Sequence, residues 1–290
     1  MTQNMLPTRY ELRNRYVFEG QLEMRTALHV GGGKATLSHT DSPVVLTPEG
    51  TPFIPGSSFK GTLRSTIEKL VSSLPKDLGL RACGLPTEEN PGELCPTARQ
   101  KQIAQNRRDE PDPEKKEKIL ENARKQLCHT CQLFGSPFAA ARITLNDLYL
   151  VNDEWSGTTQ IRDGVAIDRD SETAKKGFKY DFEVVPATTV FAMHLVLENA
   201  TEQDLQLISI GLSEFVHGFG GVGGLRSRGL GACILNKLNI SYLKLTGISD
   251  QERMQRLQRY LLRKELAPFD TQSFLVQYID KMFEGSTLNH

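Results

Sequence analysis

Between residues 16 and 30 the even positions read Phe18, Gly20, Leu22, Met24, Thr26, Leu28 and Val30, while Glu19, Gln21, Glu23 and Arg25 fill the odd ones. A period of two predicts a half-buried strand. It stops at Gly31-Gly32-Gly33. A polar stretch follows to Thr40, and the chain resumes as Asp41-Ser42-Pro43-Val44-Val45-Leu46. After Pro52-Phe53-Ile54-Pro55-Gly56 the period lengthens: Phe59, Leu63, Ile67 and Leu70 recur at helical spacing, with Ser57 or Ser58 in place to cap the N-terminus. Lys60 and Arg64 sit four apart on another face of the same helix.

Residues 83–131 break this rhythm. Pro86, Pro91, Pro96, Pro111 and Pro113 punctuate them, and charged residues crowd the stretch 99–125. Such a segment reads as an insertion too polar to build its own core, with one short solvated helix over 114–127. Strand character returns at Ile143, and a charged, irregular stretch spans 163–179. Phe191, Met193, Leu195 and Leu197 then alternate as another strand. Leu205, Ile208, Leu212 and Phe215 mark a second amphipathic helix, which leads into a glycine-rich loop, a strand from Gly231, and two C-terminal helices over 251–263 and 273–283. Strand, helix, insertion, strands, helix, strand is the order of an α+β domain with helices on one face of an antiparallel sheet. The simplest small fold of that kind is ferredoxin-like.

Composition narrows the classes. The 290 residues carry 35 Lys+Arg against 35 Asp+Glu, so no global basic charge argues for nucleic acid, although local basic strips are compatible with neutrality. No run of about 18 apolar residues predicts a transmembrane helix, and the N-terminus shows no signal-peptide pattern. Five cysteines are an odd number for a disulfide framework, so a cytoplasmic protein with metal-bound or buried thiols is expected.

Four of those cysteines fall in the insertion or at its ends. Cys83, Cys95, Cys128 and Cys131 are separated by 11, 32 and 2 residues. The Cys128-His129-Thr130-Cys131 spacing lets two thiolates reach one tetrahedral Zn²⁺, and a segment without a core gains folding energy from a metal. Cys83 is the least certain ligand of the set, with His129 as an alternative, and Cys233, in Ala232-Cys233-Ile234-Leu235, reads as core. In the glycine-rich loop, Gly218, Gly220 and Gly223 satisfy G-x-G-x-x-G. The context is inverted, however, with a helix before and a strand after, so a dinucleotide site is rejected. What remains is a run of backbone amides ending in Arg226 and Arg228, a combination suited to phosphates. Asp41 has no carboxylate near it in sequence with which to form an acid–base pair; alone, it reads as a turn-capping residue. His29 and His39, its neighbours in sequence, read equally well as structural.

Taken together, Leu28-His29-Val30-Gly31-Gly32-Gly33, Asp41-Ser42-Pro43-Val44-Val45 and Ile54-Pro55-Gly56-Ser57-Ser58-Phe59-Lys60-Gly61-Thr62-Leu63-Arg64-Ser65 resemble the N-terminal signature of the RAMP superfamily. The likeness is closest to the repeated backbone subunit of type III CRISPR effector complexes (Csm/Cmr-like), and the cysteine insertion resembles that of subtype III-D or a related one. Gly164-Val165-Ala166-Ile167-Asp168-Arg169, with Glu183-Val184-Val185-Pro186, resembles that subunit's thumb hairpin. Gly223-Gly224-Leu225-Arg226-Ser227-Arg228-Gly229-Leu230-Gly231 resembles its C-terminal glycine loop, and Leu133-Phe134-Gly135-Ser136 also fits. The motifs occur in matching order over residues 16–240.

The resemblance implies an RRM-like, ferredoxin-type palm over residues 1–240, with 83–131 as a zinc-binding insertion and about 160–186 as the thumb. A helical extension covers 241–290. It implies copies or homologous RAMP subunits stacked along a guide RNA, beside a large polymerase-like and a small helical subunit, in a prokaryotic cytoplasm and with no membrane partner. It further implies Mg²⁺- or Mn²⁺-dependent cutting of complementary target RNA by the substrate's own 2′-hydroxyl, with Asp41 as the essential residue. Lys34, Lys60, Arg64, Arg169, Arg226 and Arg228 would hold RNA without reading its sequence.

Overall fold

The structure is a computed structural model describing residues 11–32, 40–83, 95–151, 155, 157–167, 170 and 173–284, without the side chains of 166, 167 and 174–178. Along the chain come β1 (Asn14–Met24), α1 (Gly56–Ser73), α2 (Gln100–Asp109), α3 (Pro113–Gln126), α4 (His129–Phe134), β2 (Ile143–Leu145), β3 (Gln160–Ile167), β4 (Ala174–Val184), β5 (Val190–Glu198), α5 (Glu202–Val216), β6 (Cys233–Lys244), α6 (Asp250–Arg263), β7 (Ala267–Phe269) and α7 (Thr271–Phe283).

β1 is the centre of a five-stranded sheet in the order β2-β5-β1-β6-β7, and every pairing is antiparallel. Without β7, the four remaining strands and the helices α1 and α5 form two interleaved βαβ units, the ferredoxin-like arrangement the element order predicts. The alternation in β5 is realised residue by residue: Phe191, Met193, Leu195 and Leu197 are all buried. So are Phe59, Leu63 and Ile67 on α1 and Leu205, Ile208, Leu212 and Phe215 on α5. One hydrophobic core joins these to Phe18, Leu22 and Met24 of β1 and to Phe274 of α7. The rings of Phe59 and Phe215 lie 5.1 Å apart, and that of Phe274 meets Phe18 edge-on at 5.5 Å. No helix among the described residues is long and apolar enough to cross a membrane.

Local signals explain some boundaries and not others. Thr201 and Asp204 form a reciprocal capping box at the start of α5. The serine cap expected for α1 is not used: Ser57 and Ser58 lie inside the helix, and the Gly56 N–H donates instead to the Asp147 Oδ1, 2.7 Å away. A long-range carboxylate thus satisfies an orphan amide that sequence assigns to a neighbour. In the insertion, α3 matches the predicted solvated helix, and α2, with no buried residue, adds a second. The charged stretch 163–179 is strand over its described residues 163–167 and 174–179. β3 and β4 pair across it from Gln160↔Val184 to Ile167↔Ala174, a two-stranded hairpin apart from the main sheet. Both C-terminal helices are present, and between them β7 pairs with β6.

Candidate functional site

The loop that begins at Asp41 is laced onto β4. The Asp41 N–H donates to the Asp181 Oδ1 at 2.7 Å, and the Asp181 N–H donates back to the Asp41 Oδ2 at 3.2 Å. Two residues on, the Glu183 N–H donates to the Ser42 carbonyl at 3.0 Å, and the Val44 N–H to the Glu183 Oε2 at 3.0 Å. Strand alternation puts Asp181 and Glu183 on one side of β4, which is why both reach the same loop. The carboxylate neighbour that local sequence denies to Asp41 is therefore supplied by the hairpin; 140 residues separate the two, and no sequence spacing announces the pair.

His29 is the buried pin beneath this loop. Its Nδ1 lies 2.7 Å from the Glu183 carbonyl and its Nε2 3.2 Å from the Ser42 Oγ. A carbonyl only accepts, so in the neutral ring Nδ1 carries the proton and Nε2 accepts from the Ser42 hydroxyl. The ring also meets Phe182 edge-on at 5.9 Å. His29 is thus structural in its contacts. His39, like Lys34 and Arg169, lies outside the described residues.

The glycine-rich loop closes the other side. The Gly224 N–H donates to the His29 carbonyl and the Gly231 N–H to the Ala27 carbonyl, both at 2.8 Å. Gly223 has φ +83° and leaves no room for a side chain, since a Cβ would stand 2.3 Å from the His29 oxygen. Between these anchors Arg226 and Arg228 sit exposed on a short 3-10 turn. The Arg228 guanidinium lies over the Tyr180 ring at 5.7 Å, and that ring stacks on Phe182 at 6.0 Å. Asp41 and Asp181 therefore lie on one side of β4 and Tyr180 with Arg228 on the other, and both Asp41 and Arg228 are exposed. An amide-rich loop, an aromatic face and two guanidinia are parts from which a sequence-neutral polyanion site is built, and an exposed carboxylate beside them is a group able to take a proton or meet a cation.

Lys60 and Arg64 face elsewhere. The Lys60 Nζ is 3.5 Å from the Ile143 carbonyl, and burial, aided by Arg64, lowers its pKa. Arg64 uses all three guanidinium nitrogens within the chain: Nε on Glu68 at 2.8 Å, and the other two on the Gly135 carbonyl at 3.4 Å and the Cys131 Sγ at 3.3 Å. Half-buried, it stands at the edge of the cysteine cluster.

In that cluster the Sγ atoms of Cys83, Cys95, Cys128 and Cys131 all lie within 4.8 Å of one another, with Cys83 and Cys131 3.5 Å apart. Tetrahedral Zn²⁺ with bonds of about 2.3 Å needs sulfurs about 3.8 Å apart, so the four thiols fit that ion without rearrangement. Hydrogen bonds from neighbouring thiols, first from Cys128, hold Cys95 far below the ordinary thiol range, and those led by Cys131 lower Cys128 to about 6. Cys83 and Cys131 are raised, in each case first by Cys128. His129, the alternative ligand, accepts the Arg81 N–H on its Nδ1 at 3.0 Å and stands outside the thiol set. Cys95, Leu127, Cys128 and Cys131 are the buried heart of the insertion, so a metal there would replace the core that the segment lacks. Cys233 is fully buried in the palm, as its apolar strand predicts.

Comparison with known proteins places this geometry in context. The RAMP superfamily model matches residues 21–234. A protein of Methanocaldococcus jannaschii named CRISPR system Cms endoribonuclease Csm3 is 27% identical over 235 residues, spanning 76% of this chain and 78% of that protein. Proteins of the same name match over shorter stretches. That of Enterococcus italicus is 44% identical over 59 residues, 19% of this chain and 28% of its own. That of Streptococcus thermophilus is 39% identical over 67 residues, 21% and 30% respectively.

Proposed function

Because the chain belongs to the RAMP superfamily, we propose that it is a guide-RNA-binding backbone subunit of a type III CRISPR interference complex, and that it cuts complementary target RNA at Asp41. The relatives named endoribonucleases support the activity class. The observation that carries the reading is the placement of Asp41: exposed, on a loop fastened to the hairpin strand β4, with the arginine-bearing glycine loop alongside.

In this reading β3 and β4 are the thumb that parts guide from target, and Arg226 and Arg228 hold phosphates at its base. Lys60, Arg64, Lys34 and Arg169 are further phosphate contacts. Base pairing with the guide supplies sequence recognition, so the protein needs only shape and charge. The reaction is transesterification: the target's 2′-hydroxyl attacks the adjacent phosphorus, the bond to the 5′-oxygen breaks, and 2′,3′-cyclic phosphate and 5′-hydroxyl ends result. The thumb's distortion of the strand supplies in-line geometry, a large part of such a barrier. Asp41 either accepts the hydroxyl proton or positions a hydrated Mg²⁺ or Mn²⁺. Zn²⁺ on Cys83, Cys95, Cys128 and Cys131 is structural. Other copies or homologous subunits, a large polymerase-like and a small helical subunit complete the assembly, in a prokaryotic cytoplasm.

The test is the assembled complex with its guide, Mg²⁺ and an end-labelled complementary RNA. Asp41→Ala is expected to abolish this subunit's cuts while target affinity stays unchanged. Unaltered cutting would make the chain an architectural guide-RNA binder whose Asp41 only shapes a loop.

A further inference from the structure

We infer that Asp181, on β4, is a positioning residue for the Asp41 carboxylate, so that the cutting group is carried in register with the thumb. The inference rests on the reading of Asp41 given above and adds a second residue to that site.

Asp41 and Asp181 are joined by a closed pair of hydrogen bonds, each carboxylate accepting the other's backbone N–H, at 2.7 and 3.2 Å. One of the two bonds depends on the Asp181 side chain and the other on its main chain. Asp41 is exposed, and these bonds with the adjoining Ser42–Glu183 bond fix where its side chain stands. Only the Oδ2 of Asp41 is engaged among the described residues, which leaves Oδ1 for the reacting strand or its hydrated cation. The frame behind the pair is rigid. Ser42 bridges Phe182 in parallel, and His29 is fixed between Ser42 and the Glu183 carbonyl. A shift of the thumb strand therefore shifts the Asp41 carboxylate with it. The bond broken in the target would be set by the same strand that distorts it, which requires that loop and thumb be fastened directly and not only through the palm.

Asparagine separates positioning from charge, because its Oδ1 still accepts the Asp41 N–H whereas alanine does not. In the assembled guide-RNA complex, Asp181→Ala is expected to lower the single-turnover cutting rate about 10- to 100-fold, the cost of a misplaced reacting group. Target affinity stays unchanged and cuts spread beyond the wild-type positions. Asp181→Asn is expected to cut close to the wild-type rate at the wild-type positions. Wild-type cutting by Asp181→Ala would overturn the inference. So would an Asp181→Asn defect as large as that of alanine, since the charge and not the hydrogen bond would then be what matters. Asp181→Glu moves the carboxylate one methylene outward and carries the same test should the alanine variant fail to assemble: a lowered rate at unchanged affinity supports the inference, and wild-type cutting overturns it. Asp41→Ala, run beside them, isolates the parent reading. If that variant cuts normally, the catalytic assignment fails, whatever the Asp181 variants do.

Discussion

Single positions do different work here according to whether a long-range contact defines them. Gly223 is held at φ +83° with its Cα against the His29 carbonyl. Alanine kept in that left-handed conformation costs about 1–2 kcal/mol and also has to push away the oxygen that anchors Gly224. Gly223→Ala should therefore lower the thermal midpoint and weaken RNA binding together, whereas Gly229→Ala, strained in φ but with open space around its Cβ, should keep more of both. Arg228 makes no carboxylate contact among the described residues and is exposed. Its replacement by alanine should reduce guide affinity evenly across sequences and flatten the log–log salt dependence by about one unit, as loss of one phosphate contact does. At this scale Asp41 was legible as part of a motif and Arg226 and Arg228 as the end of an amide-rich loop. Asp181 was not, because it lies inside a charged hairpin and reaches Asp41 only through the topology. Arg64 has contacts that its spacing does not announce. Its place beside Lys60 on a helix suggests a basic face, and only the packing of α4 shows its guanidinium turned toward Cys131.

Elements were legible where periodicity reports burial. β1, α1, β5 and α5 each bury the face their apolar spacing marks. α2 buries nothing and so has no pattern to detect; β7 is three residues around a proline, too short for any period to emerge. α5 also rests on an electrostatic element that spacing cannot reveal. Asp204 is almost wholly buried and accepts from Thr201 and, at 2.5 Å, from Arg142. Asp204→Ala would strand the Arg142 charge and uncap the helix, so the expected loss is about 3–5 kcal/mol, read from the denaturant midpoint at unchanged m-value. For the insertion, metal analysis should find about one zinc per chain. Cys128→Ser with Cys131→Ser should abolish it and free α2 and α3 to proteolysis while the palm, which buries Leu133 and Phe134 of α4, keeps its cooperative unfolding. A metal-free protein with a protected insertion would exclude the structural role.

Across the whole molecule, zero net charge is a balance of parts and not an absence of polarity. The palm's core sets a pH limit of its own. Burial pushes the Cys233 thiol up to about 12 from an ordinary 9, and burial also raises Tyr16 and Tyr278. A group whose folded pKa lies above its unfolded one holds more protons in the native state, so stability falls as pH rises between the two values. Unfolding free energy should therefore decline from about pH 9 toward 12, and Cys233→Ala, weaker overall from its cavity, should show a shallower decline.

The two outer strands of the palm are each three residues long: β2 at one border, and at the other β7, whose Pro268 has no N–H to offer. A sheet so terminated gives a newcomer almost no ladder to extend, which is how natural sheets avoid joining border to border. In the proposed assembly, copies along a guide RNA would then touch through faces and loops and not by extending the sheet. The purified chain without RNA should sediment without a ladder of sheet-joined oligomers; such a ladder would overturn the reading of the borders as blunted. In the proposed assembly, a row of copies would then owe its order to the RNA and not to sheet pairing.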